Sequence, residues 1–167
     1  TGLRELGYVE GQNLVIEYRG ADGKIERLAG FATELTRLKV DLIMAVATPA
    51  ARAAQQATTA IPIVATAMGD LVRDGLVASL ARPGGNVTGT TFLGPELVPK
   101  RLELLKQALP RVSRVAGLWH PGAFGEQTME DMWKQAEASA RALRLQLRRV
   151  EVRSPDEFDR AISTVLQ

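Results

Sequence analysis

At 167 residues, with 46% hydrophobic content and 21 basic against 19 acidic side chains, the chain can bury the core of one ordinary domain or parts of two smaller lobes. The formal charge of +2 is too balanced to point to nucleic acid or an acidic membrane surface. The absence of cysteine excludes disulfides, thiolate metal sites and a cysteine nucleophile, and no apolar run approaches the roughly 20 residues of a membrane span.

Thr1 to Gly7 reads as the tail of a helix without its beginning, and Ala161 to Gln167 stops inside another helix, so the sequence is expected to be a fragment. Asn13 to Arg19 sets Leu14, Ile16 and Tyr18 against Val15, Glu17 and Arg19, the period of two that predicts an edge strand. Asp22-Gly23 then opens a helix with Ile25, Leu28, Phe31, Ala32, Leu35 and Leu38 on one face. Leu42 to Val46 is apolar on both faces, as in a central parallel strand covered by helices on each side. At its end Thr48 fits an N-cap and Pro49 the first turn of a helix through Gln56.

The cycle repeats. Ile63 to Thr66 predicts a strand, Leu76 to Leu80 a short helix, and Val87 to Phe92 a strand after the turn residues Arg82-Pro83-Gly84-Gly85-Asn86. A helix from Pro99 to Leu109 leads into strand Val115–Trp119, helix Met129–Leu143, strand Gln146–Val152 and a last helix whose Ser154 and Glu157 have the spacing of a capping box. Strands alternating with helices imply an α/β fold of parallel sheets joined by right-handed crossovers. Residues 1–92 are expected to form most of a first lobe without its first strand, 93–111 a hinge and crossover helix, and 112–167 the start of a second lobe; the link Thr88 to Leu97 reads as the hinge.

In open parallel sheets, ligands sit beyond the carboxyl ends of the strands. Ala47-Thr48-Pro49 places a hydroxyl and amides at a positive helix end suited to a carboxylate, or is a plain cap. Met68-Gly69-Asp70 ends the next strand, where Asp70 either meets an ammonium or caps its own turn. Thr88, Thr90 and Thr91 offer hydroxyls near the hinge but are also ordinary strand formers. Trp119 ends the first strand of the second lobe, where it lines the cleft or plugs the sheet end, and His120-Pro121 follows it, with His120 placed to bond or stack on a ligand. Trp133, beside Met129, Met132 and Ala136, reads as core, and Arg141, Arg144, Arg148, Arg149 and Arg153 as a solvated basic face. A lone histidine without neighbouring ligands makes no metal site, and the glycines match neither the dinucleotide fingerprint nor the P-loop. No serine sits in a nucleophile elbow, so no catalytic residue, metal or cofactor is expected and the chain does not read as an enzyme.

The stretch Asp70-Leu71-Val72-Arg73-Asp74-Gly75-Leu76-Val77-Ala78-Ser79-Leu80-Ala81-Arg82-Pro83-Gly84-Gly85-Asn86-Val87-Thr88-Gly89 resembles the signature of a bacterial family of ABC-transporter substrate-binding proteins. Gly7-Tyr8-Val9-Glu10-Gly11-Gln12-Asn13, Ala60-Ile61-Pro62-Ile63-Val64 and Lys100-Arg101-Leu102-Glu103-Leu104-Leu105-Lys106 are similar to the same family, in the same order. The chain departs from the family pattern at Leu71, where proline is usual, and at His120, where asparagine is usual. The resemblance implies a type 1 periplasmic-binding-protein fold with doubly wound parallel sheets in two lobes. It also implies a periplasmic or lipid-anchored extracytoplasmic location, and an amino acid, with an aromatic one preferred, held between the lobes for delivery to an ABC permease. On that reading the ligand-contacting residues are Ala47, Thr48, Pro49, Met68, Gly69, Asp70, Thr91, Trp119, His120 and Pro121. The carboxylate would lie near Thr48 and the ammonium near Asp70. The competing reading is the effector-sensing domain of a transcription regulator, which shares this architecture. If the sheet follows the order 2-1-3-4-5, a missing strand belongs between 14–19 and 42–46, supplied by unseen chain or by another molecule.

Overall fold

The computed structural model describes residues 2–92 and 94–166; Thr1, Leu93 and Gln167, which fall within the expected terminal helices and hinge, lie outside the described residues. After a short helix α1 (Gly2–Glu5) and a 3-10 turn at Ile25–Arg27 come α2 (Leu28–Arg37), β1 (Ile43–Val46), α3 (Thr48–Ala57), β2 (Ile63–Met68) and β3 (Val87–Thr91). Then follow α4 (Gly94–Ala108), β4 (Arg114–Trp119), α5 (Glu126–Ala142), β5 (Gln146–Glu151), a 3-10 turn at Pro155–Glu157 and α6 (Phe158–Leu166).

The strands form two parallel sheets, β1-β2-β3 and β4-β5, the α/β alternation expected from the sequence. Ile43 and Ala45, Ile63 and Ala65, and Val87 present one apolar face, onto which α3 lowers Ala51 and Ala54 and the chain after β2 folds Leu71, Leu76 and Val77. Ile63 and Ala65 are wholly enclosed, and burial on this scale is the main force holding the first sheet together. In the second sheet Val150, Val152 and Ala161 pack with Ala116, while α4 runs along α5. Among the described residues no helix is long and apolar enough to cross a membrane.

Several elements differ from expectation. Residues 13–19 form no strand; only Glu10 and Leu14 make an isolated parallel bridge, and Val15 and Tyr18 are more than four-fifths exposed. Alternating polarity makes a strand only where a neighbour takes up the backbone groups, and among the described residues none does so for 15–19. The segment is held instead by Arg19, whose guanidinium donates to Glu34 on α2 at 2.7 Å. Neither direct pairing of 14–19 with β1 nor an intervening strand is found among the described residues, so β1 is the edge of its sheet. Its Met44 and Val46 face outward and exposed, which corrects the expectation of a strand covered on both faces.

The expected helix at Leu76–Leu80 is a series of turns. Gly75 adopts φ 70°, which ends the helical turn begun at Asp70, and Leu76 and Val77 both return their N–H groups to the Leu71 carbonyl. Helix α4 starts five residues before the expected Pro99, carrying the proline inside at the cost of one backbone bond. Helix α5 likewise starts at Glu126 rather than Met129. The Ser154 side chain makes no cap; Glu157 accepts instead from the Arg153 N–H at 2.8 Å, a one-sided version of the expected box.

Candidate functional site

The helix start that follows β1 faces the carboxyl ends of β4 and β5 across a cleft of about 530 Å³. The first sheet contributes Thr48, Pro49 and Arg52 from the start of α3. The second contributes Trp119 at the end of β4, Pro121 after it, Phe124 to Glu126 at the entry to α5, Met129 and Glu130 one turn further, and Arg149 and Glu151 from β5. Apolar and aromatic walls thus carry two guanidinium groups and three carboxylates, a lining that can take a small zwitterion with an apolar side chain.

Local strain marks the cleft's edge. The residue preceding α3 is Ala47, at φ 70° and ψ 152°, a region normally reserved for glycine. It is fixed there by its N–H on the Thr66 carbonyl and by its own carbonyl, which accepts from Ala50 and Ala51. The N-cap is therefore Ala47, and Thr48 becomes the first helical residue, correcting the expected cap. Thr48 is buried, and its hydroxyl accepts from the Gly69 N–H at 3.3 Å and donates to Asp74 Oδ2 at 3.4 Å.

The remaining sequence candidates are dispersed. Met68 is wholly enclosed in the core. Gly69 is buried, its carbonyl accepting from the Thr91 hydroxyl at 2.7 Å. Asp70 Oδ1 accepts from the Val72 and Arg73 amides and Oδ2 pairs with Arg73 Nε at 3.1 Å, so this carboxylate caps its own turn. His120 is exposed, with Nδ1 accepting from the Gly122 N–H. Ala47 and Pro49 also line a second, apolar groove of about 390 Å³ between residues 17–21, α2 and β1. Trp119, Pro121, Thr48 and Pro49 are thus brought together at the main cleft, while Met68, Gly69, Asp70, Thr91 and His120 do not line it.

Trp119 meets Trp133 edge to face at 5.6 Å, and Arg149 lies over both rings, 6.0 Å and 5.3 Å from their centroids. Trp133 thereby braces the cleft wall, with Nε1 donating to Glu137. Phe124 stacks on Phe92 at 5.8 Å.

The sequence reading missed Arg52, Asp74, Phe124, Thr128 and Arg149. Arg52 was findable, since it lies four residues after Thr48 on the same face of a helix. Arg149 was absorbed into the basic face because nothing local distinguishes it from Arg148. Asp74 gives no local signal. Its carboxylate, 6% exposed, accepts at Oδ1 from the Thr128 N–H (3.2 Å) and hydroxyl (2.9 Å), joining the first sheet's loop to the first turn of α5. The Thr128 hydroxyl in turn accepts from the Asp70 N–H at 3.0 Å. Arg73 adds an ion pair to Asp131 on α5, and that hydrogen-bonded carboxylate, more than Asp70 or Glu96, raises the pKa of its guanidinium. Among the described residues no group of three His, Cys, Asp or Glu side chains is arranged to hold a metal ion.

The chain matches a family model described as ABC transporter substrate binding protein over residues 1–167. It is 36% identical over 130 residues to a Tyrosine-binding protein of Clostridioides difficile (strain R20291), covering 77% of this chain and 37% of that relative. Among solved structures it is similar to a conserved domain protein of Vibrio cholerae O1 biovar eltor (TM-score 0.87, 32% identity, 98% of this chain and 54% of that one). It is also similar to an ABC domain in complex with L-Trp from Streptococcus pneumonia (TM-score 0.83, 28% identity, 98% of this chain and 53% of that one). The chain therefore spans about half the length of these solved relatives.

Proposed function

Because the chain belongs to the ABC transporter substrate binding protein family, we propose that it supplies most of one lobe and the beginning of a second in a receptor that closes on a free amino acid, an aromatic one preferred, and delivers it to a membrane permease. The observation that carries this reading is the cleft between the two sheets, which sets opposite charges around an aromatic and apolar wall. The ligand carboxylate is directed to the first turn of α3, where the helix dipole favours negative charge and the Arg52 guanidinium reaches the cleft, while the Thr48 hydroxyl, bonded to Gly69 and Asp74, fixes that turn in place. Since Asp70 caps its own turn outside the cleft, the ammonium is assigned to the acidic side chains of the facing wall, Glu126, Glu130 and Glu151. Trp119, Phe124 and Met129 receive the side chain, offering a ring the edge or face of an aromatic. That the Clostridioides relative is named a tyrosine-binding protein and the streptococcal domain was solved with L-Trp supports the aromatic preference. On this reading the receptor works outside the cytoplasmic membrane, a location that membership of a transporter's substrate-binding family supports.

Titration calorimetry of the full-length protein against the free amino acids tests the proposal. Tyrosine, tryptophan or phenylalanine should bind most tightly, and Arg52→Ala should weaken that binding at least tenfold, because a charge-assisted hydrogen bond contributes about 1.5–3 kcal/mol. Absence of heat with every amino acid, or unchanged affinity in Arg52→Ala, would overturn it.

A further inference from the structure

We propose, on the footing of the receptor reading above, that Arg149 is the residue that reads the far end of the ligand's side chain. It selects an aromatic amino acid with a neutral hydrogen-bond acceptor there, as the phenol oxygen of tyrosine is. Five charged side chains line the cleft: Arg52, Arg149, Glu126, Glu130 and Glu151. Three are engaged by other parts of the protein. Arg52 donates one N–H to the Asp74 carbonyl at 2.5 Å, Glu130 pairs with Lys134 at 3.5 Å, and Glu151 pairs with Arg153 at 3.2 Å. Among the described residues Arg149 and Glu126 have no hydrogen-bond or ion-pair partner, so Arg149 is the cation of the cleft whose donors are all left for a ligand.

Position decides which part of the ligand Arg149 meets. It lies on β5 with its guanidinium 6.0 Å from the ring centroid of Trp119 and 5.3 Å from that of Trp133. Trp119 belongs to the wall assigned to the ligand's ring, across the cleft from the α3 turn assigned to the carboxylate. Arg149 therefore stands at the side-chain end. Two aromatic neighbours hold the planar guanidinium, and its N–H groups point outward in that plane as a preset fork. A ring laid against Trp119 takes the place of solvent at this edge. A phenol oxygen there accepts from the guanidinium, whereas a bare phenyl leaves the donors unsatisfied and an indole N–H meets them with another donor. The acceptor must be neutral. Three carboxylates already share the cleft with two guanidinium groups, and Glu151 lies two residues from Arg149 on the same strand face, so a further negative charge is disfavoured.

Titration calorimetry of the full-length protein tests this with tyrosine and phenylalanine, which differ only by the phenol oxygen. Wild type should bind tyrosine about tenfold more tightly than phenylalanine, and Arg149→Met, which keeps an unbranched side chain over the rings, should bring that ratio to within about twofold of one. A second arm uses wild-type protein alone, so it decides the matter even where the variant does not fold. The ligand 4-aminophenylalanine matches tyrosine in size, but its amino group donates and is a poor acceptor, so it should bind no more tightly than phenylalanine. Equal wild-type affinity for tyrosine and phenylalanine would overturn the role of Arg149 and leave the receptor reading standing. So would 4-aminophenylalanine binding as tightly as tyrosine, or an Arg149→Met variant with the wild-type ratio, which would make Arg149 a holder of the amino-acid head or of the wall. If wild type binds neither tyrosine nor phenylalanine, the receptor reading falls and the role of Arg149 falls with it.

Discussion

Ala47 pays for its position with a backbone that glycine enters freely and that an L-residue enters at a cost of about 1–3 kcal/mol. Nothing in the residue type announces this. The strain arises because the chain must turn from the end of β1 into α3 while its N–H stays on Thr66. Ala47→Gly should therefore raise stability in urea unfolding by about 1 kcal/mol, the relief exceeding the extra entropy of an unfolded glycine. A loss of stability of glycine's usual size would show that the backbone is not strained. At this scale the sequence exposed residue chemistry where it was local. Thr48 and Pro49 at a helix start, Trp119 at the end of a strand and the turn role of Asp70 were all readable, the last as one of two alternatives. Partners far apart in the chain were not, because Asp74 and Thr128 are 54 residues apart and neither carries a spacing pattern that names the other.

Among the elements, the β2–β3 pair shows why one glycine of the signature stretch is there. Gly89 lies opposite Ala65, and a Cβ at Gly89 would fall 1.9 Å from the Ala65 carbonyl oxygen. Gly89→Ala should cost more than about 3 kcal/mol or prevent folding, since no side-chain adjustment can move a strand backbone aside. Gly85→Ala, where an added Cβ meets nothing within 4 Å, should change stability by less than about 1 kcal/mol. Equal effects in thermal unfolding would mean that the β2–β3 register is not the one described. Most helices and strands were legible from period and turn residues, with ends displaced by a few positions. The failures have physical causes: residues 13–19 alternate correctly but have no described neighbour to pair with, and Leu76–Leu80 follows a glycine in the left-handed region that diverts the chain into turns. In both places tertiary context overrides local preference.

For the molecule as a whole, the alternation of strands and helices fixes two parallel sheets, and the chain after β1 meets the carboxyl ends of β4 and β5 at one cleft. The alternation was visible in the sequence. Which loops would face one another was not, because that depends on how the sheets dock through Asp74, Arg73 and the first turns of α5. The central claim is that this cleft is where the ligand is held. Its most direct test is a crystal structure of the full-length protein grown with the aromatic amino acid that binds best. The account predicts the amino acid between the sheets, its carboxylate at the first turn of α3 and Arg52 and its ring against Trp119 or Phe124. An amino acid seated elsewhere with this cleft empty would contradict it.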